Sequence, residues 1–94
     1  MAILMTHFYP GGTAEQQSVV HAAVHPDGAL PDGQLSAAFG PTEGGWLISA
    51  LWESPEALDR FRDEVLMPAL AGLTGGFQTA PEERLAEVVR YDVR

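Results

Sequence analysis

Apolar residues fall into short compact runs separated by turn chemistry, with two stretches of helical spacing between them. Ala2 to Tyr9 is the first run, closed by Pro10-Gly11-Gly12, and it predicts a strand. Thr13 opens a helix, with Gln16 three residues on completing a capping box, and Pro26 ends it after His25. The apolar side of this helix is thin: Val19, Val20, Ala23 and Val24. Two Pro-Asp-Gly turns, at Pro26 and Pro31, lead to a second strand from Gln34 to Phe39. A hairpin loop over Gly40 to Gly45 precedes the third strand, Trp46 to Glu53. Ser54-Pro55-Glu56 is a helix start, and Leu58, Phe61, Val65, Leu66, Ala69 and Leu70 recur at amphipathic spacing. Pro68 predicts a kink or reset near Met67. Gly72 to Arg84 reads as a loop, and Leu85 to Val93 alternates as a last strand.

The order β-α-β-β-α-β predicts an α+β, ferredoxin-like sandwich over residues 1–94, with two helices on one face of a four-stranded antiparallel sheet. A sheet with one wet face alternates apolar and polar positions. The first and third strands do not. Ile3, Met5, His7 and Tyr9 share one face of the first strand, and Leu4, Thr6 and Phe8 the other. In the third, Trp46, Ile48, Ala50 and Trp52 oppose Leu47, Ser49 and Leu51. Helices cover one face only, so a second copy packed sheet to sheet is expected.

Composition narrows the chemistry. Ninety-four residues make one small domain, which buries roughly 60–65% of its extended-chain surface. Five Lys+Arg against 13 Asp+Glu give a formal charge of −8, which argues against nucleic acid and anionic membrane as partners. The absence of Cys excludes disulfides, thiolate nucleophiles and iron–sulfur ligation. The absence of Lys excludes a P-loop and Schiff-base chemistry. The N-terminus carries neither a basic leader nor an unbroken apolar span, so a cytoplasmic location is expected.

Gly45-Trp46, Leu51-Trp52-Glu53-Ser54 running into Glu56-Ala57, Phe61, and Leu66-Met67-Pro68-Ala69-Leu70 resemble the dimeric α+β barrel superfamily. More narrowly, the chain is similar to small actinobacterial-type proteins near the antibiotic-biosynthesis-monooxygenase domains. The likeness follows element order along nearly the whole chain and is sharpest from Gly45 to Leu70. The resemblance implies a homodimer with an apolar small-molecule pocket between sheet and helices in each protomer. It also implies a cofactor-independent monooxygenase or cyclase acting on aromatic or polyketide-like compounds, with no cofactor and no metal. A non-catalytic small-molecule-binding or structural dimer is the alternative on the same fold. The family's early-strand Asn falls at or near His7 and its helix aromatic at Phe61. The chain has no Asn, and Ser54 to Leu70 contains no His, a departure from the heme-degrading branch.

His7 is the candidate catalytic residue. Burial on an apolar strand favours a neutral imidazole, which accepts a proton from an acidic phenol or activated carbon. The resemblance implies that the resulting anion reacts with dioxygen without metal or flavin. The competing reading is a core histidine bonded to Tyr91, Thr6 or a backbone carbonyl. Tyr9, Phe39, Trp52 and Phe61 are candidate ligand-binding aromatics, suited to stacking on a flat molecule or simply to core packing. Arg90 is a candidate carboxylate or phenolate clamp, or an outward partner of Asp92 or Glu87. Trp46 reads as a dimer or barrel-end contact. His21 and His25 share a helix face, but the intervening residues lack the Glu of a zinc-protease motif, so a surface helix is expected. Glu56, Asp59, Asp63 and Glu64 form an acidic side, with Arg60 spaced to pair with Glu56 and Glu64.

Overall fold

The computed structural model describes residues 1–94. Eight elements follow in order: β1 (Ile3–Pro10), α1 (Ala14–Val24), β2 (Gln34–Thr42), β3 (Gly45–Trp52), α2 (Pro55–Phe61), a π-helical turn (Arg62–Leu66), α3 (Met67–Leu70) and β4 (Glu82–Glu87). The four strands make one antiparallel sheet in the order β2-β3-β1-β4. This is the ferredoxin-like βαββαβ arrangement that the sequence predicts. No helix is long and apolar enough to cross a membrane.

The helix starts form as their capping chemistry dictates. Thr13 and Gln16 exchange side-chain-to-amide bonds of 3.2 and 3.1 Å, and Ser54 Oγ accepts the Ala57 amide at 3.1 Å. The Pro68 reset arrives earlier than expected, as the π turn over Arg62–Leu66. There the Met67 amide donates to the Arg62 carbonyl, five residues back. The widened turn restarts the helix at Met67, so Pro68 lies in a first turn, where a missing N–H costs nothing.

The remaining boundary shifts have local causes. The predicted hairpin loop tightens, and β2 runs on to Thr42, paired with Gly45. The last strand starts at Glu82 and ends at Glu87, where the ladder with β1 runs out opposite Ile3. After Val88, whose amide bonds the Ala2 carbonyl at 3.0 Å, Val89 to Val93 keeps the alternation without a strand partner, and Val89, Tyr91 and Val93 are exposed. Alternation reports a strand's faces but not where its neighbour stops.

The core lies between the central strands and the helices. Ile3, Met5, Ala50, Trp52, Ala57 and Leu58 form the buried cluster, with Ile48 and Phe61 packed against it. Trp52 is the most deeply buried large side chain, 1% exposed. Trp46 is also buried. Its indole donates to Gln17 Oε1 at 3.0 Å, so it ties β3 to α1 within this protomer. On the opposite face Leu51 is buried, Phe8 half-buried, and Leu4 and Leu47 remain exposed.

Two glycines at the top of β1 and β3 differ in what they permit. A Cβ on Gly45 would collide with the Tyr9 carbonyl oxygen and the Gly11 amide nitrogen, backbone atoms held by the β1–β3 ladder and by the bond from the Gly11 amide to the Gly44 carbonyl. Gly11 has φ +69° and open space around it. Gly45→Ala is therefore expected to cost roughly 3 kcal/mol, from overpacking against fixed backbone. Gly11→Ala is expected to cost roughly 1 kcal/mol, from left-handed strain alone. Urea unfolding of the two variants checks the ranking.

Candidate functional site

The sheet and the helices do not close on each other completely. A cavity of about 200 Å³ lies between them. Its wall brings together His7, Tyr9, Phe39, Trp52 and Phe61, five of the six residues singled out from the sequence. Arg90 stands apart, on the outer face, where it pairs with Asp92 at 2.9 Å and is largely exposed. It does not reach this cavity.

His7 reaches the wall because β1 places it on the helix-facing side, level with Ile48 of β3 and Glu83 of β4. Its ring is buried, and Nε2 lies 2.6 Å from Glu83 Oε2. Arg62, the first residue of the π turn, donates to the same oxygen at 3.2 Å and to Asp59 at 3.2 Å. The sequence reading placed a different partner on His7. The carboxylate was hidden because Glu83 lies 76 positions away, in what read as a loop. The expected Arg60 pairs with Glu56 and Glu64 are absent, and Arg62 carries the charge pairing on this helix.

The bond to a carboxylate fixes the ring's roles. In the neutral ring, Nε2 carries the proton and donates to Glu83, which leaves the lone pair on Nδ1. Nδ1 has no hydrogen-bond partner within the protein, and His7 lines the cavity. Burial acts to raise the Glu83 carboxyl. The bond and charge of His7 and those of Arg62 outweigh it, and hold Glu83 below its ordinary value. Burial, then the Glu83 charge, pushes the Tyr9 phenol upward, so Tyr9 stays a neutral hydroxyl near pH 7. Its ring stacks on Phe77 at 3.8 Å, a contact supplied by the loop after α3 and not foreseen from the sequence.

All three histidines of the chain line the cavity. His21 and His25 are 4.7 Å apart between ring centroids, with Phe39 against His21 and Phe61 against His25. They are thus half-buried members of the cavity wall. His25 Nδ1 donates to the Ala29 carbonyl at 3.1 Å. Burial first, then the His21 charge, lowers the His25 imidazole below its ordinary value, against the opposing pull of that carbonyl and of Asp27. No group of three or more His, Asp or Glu side chains is arranged to hold a metal ion.

Gln34 is a further wall residue that the sequence did not flag. A bulge between Gln34 and Ser36 changes the parity of β2, so Gln34 faces the same cavity as Ala37 and Phe39. Gln34 Oε1 and Trp52 Nε1 are both sealed without partners, on residues directly opposed across β2 and β3.

No protein-family model matches the sequence, and no curated protein matches it. Solved structures do. The cofactor-independent oxygenase SnoaB of Streptomyces nogalater aligns at TM-score 0.64 and 17% identity, over 96% of this chain and 94% of that one. A monooxygenase of Streptomyces coelicolor, in complex with nanaomycin D, aligns at 0.58 and 22% identity, over 99% and 91%. The heme-degrader MhuD of Mycobacterium tuberculosis, with two hemes bound, aligns at 0.58 and 22% identity over the full length of both chains. The chain has the fold these proteins share, that of antibiotic biosynthesis monooxygenase-like ferredoxin-fold proteins.

The position of Glu83 makes stability depend on pH. A carboxyl held below its unfolded value stabilises the fold above that value, and the contribution is lost as pH falls through the lowered one. Glu83→Gln is expected to be less stable than the parent near neutral pH. The gap should close as pH is taken below the ordinary carboxylate value of 4.5. Thermal melts of both proteins across that range test the sign.

Proposed function

We propose that this chain is a small-molecule enzyme that oxygenates or cyclises an aromatic or polyketide-like compound without a bound cofactor, with His7 as the general base. The observation that carries this reading is the single hydrogen bond of the His7 ring. Nε2 is fixed on a carboxylate that Arg62 also holds, Nδ1 has no partner within the protein, and His7 lines an apolar-walled cavity. A ligand proton delivered to Nδ1 makes an imidazolium whose charge lies against Glu83, an arrangement suited to general-base work. Tyr9, Phe39, Trp52 and Phe61 offer ring faces to a flat ligand. The fold likeness to cofactor-independent oxygenases supports the reaction class.

For an oxygenation the balance is simple. His7 takes a proton from a hydroxyarene, the anion adds dioxygen at a ring carbon, and loss of water leaves a quinone. One oxygen atom stays in the product and the other leaves in the water, and dioxygen is the oxidant. The proposal includes a homodimer. The outer sheet face keeps Leu4 and Leu47 exposed and Phe8 half-buried, with no helix to cover them.

His7→Ala is expected to abolish oxygen uptake with dihydroxynaphthalenes as probe substrates, with the dimer mass in native mass spectrometry unchanged. Retained turnover in His7→Ala would remove His7 from the chemistry. Stability lost by roughly 1–3 kcal/mol, in a protein that never turned over, supports a non-catalytic binding role with His7 as a structural tie. A monomer mass for the parent protein would overturn the dimer.

A further inference from the structure

A base that works repeatedly has to give its proton back. Each proton taken up at His7 Nδ1 leaves an imidazolium against the Glu83 carboxylate, whose Oε2 lies 2.6 Å from Nε2. An opposite charge that close favours the charged form of a base, so a carboxylate that orients the ring also opposes release of the proton. What surrounds Glu83 bears directly on that conflict.

β4 offers Glu83 little support. The strand lies at the sheet edge with all six residues exposed, and the Glu83 side chain is itself about one-third exposed. A flexible side chain in that position loses rotamer freedom when it is fixed. Arg62 does the fixing. Its guanidinium donates at 3.2 Å to Oε2, the same oxygen that His7 meets. A second donation, to Asp59 Oδ1 at 3.2 Å, ties the guanidinium back to α2. With both donors on one oxygen, the carboxylate is aimed from two sides. Arg62 also opens the π turn and lines the cavity, and π turns inside helices occur frequently at functional sites.

Few elements bring charge to the ring. β4 supplies Glu83, the π turn supplies Arg62, and α2 supplies Asp59 behind it. β1 adds the neutral phenol of Tyr9, edge-on to His7 with centroids 6.2 Å apart. α1 adds His21 and His25 on the cavity wall, and β3 presents apolar Ile48 level with His7. Arg62 is the permanent cation of this set.

We propose that Arg62 is a positioning residue for the base: it holds Glu83 on Nε2 and offsets part of the carboxylate charge, so that His7 both takes up a proton and releases it. The inference rests on the reading of His7 as the base and adds the residue that lets the base turn over. Arg62 acts through Glu83 throughout. Burial acts to raise the Glu83 carboxyl, and the bonds and charges of His7 and Arg62 overcome it, so both partners meet an ionised carboxylate.

NMR titration of the histidine rings in the full chain, without ligand, tests this. The His7 resonances are identified by their loss in His7→Gln. Arg62→Met leaves the Glu83 charge to His7 alone and is expected to raise the ring's proton affinity about threefold, the scale of a partly exposed ion pair. Glu83→Gln is expected to lower it about tenfold, because a direct charge-assisted bond is lost. Arg62→Lys keeps the cation and should recover most of the Arg62→Met change. The opposite signs are decisive, since a loosened fold would move both variants the same way, toward a solvated ring. With a dihydroxynaphthalene as probe substrate, the acidic limb of kcat/KM against pH should move upward in Arg62→Met by the same factor. Each variant's melting temperature confirms the fold. A His7 proton affinity that is unchanged in Arg62→Met, or that moves in the direction of Glu83→Gln, overturns this inference even where turnover persists. The expected shifts in a protein that consumes no probe uphold the coupling of Arg62 to His7 and count against the catalytic reading alone.

Discussion

The carboxylate of Glu83 is where three parts of the molecule meet. β4 exposes all six of its residues and so has little apolar attachment to the rest of the fold. Its backbone ladder with β1 holds it, and one side chain reaches inward to His7 and Arg62. That reach gives His7 its tautomer, draws the helix after β3 toward the sheet edge, and leaves the Nδ1 lone pair with no protein partner. Removing the carboxylate would leave a buried imidazole and a guanidinium facing each other with nothing between them.

How much of this could be read from the sequence depended on how local the signal was. Capping residues at Thr13 and Ser54, the turn dipeptides and the two-faced apolar pattern of β1 and β3 act within a few positions, and they gave the element order and the strand face that His7 shares with Met5 and Tyr9. The five cavity residues followed because strand parity and helical spacing sort side chains by face. Glu83 did not follow. Its importance comes from pairing between chain segments remote in sequence, and a glutamate in an apparent loop looks like any solvated acid. Gln34 was hidden by a bulge that reverses parity within one strand. Arg90 lies outside the cavity for the opposite reason: its position in an alternating pattern implied a strand that ends before it.

The cavity is sheltered by aromatic and aliphatic groups, yet the molecule around it is strongly acidic, and two of its five arginines are bound to carboxylates at Asp59, Glu83 and Asp92. A neutral ligand enters such a field without hindrance, while an anion is repelled before it reaches the wall. Under the proposed role of His7, the anion would form only inside the cavity, next to the imidazole that takes the proton.

The π turn over Arg62–Leu66 is a helix carrying one residue more than an α-helix needs over the same rise. Length variation along this chain is therefore not equally tolerable everywhere. Within α1 or β1, loss of one residue would rotate or flip every side chain beyond it. In the π turn, the same loss converts the wide turn to an ordinary one, and the flanking helices keep their faces. What would change is the first residue of the turn, whose guanidinium reaches across to β4, and the proline that the wide turn accommodates. A single-codon deletion here would be a mutation of the site rather than of the fold.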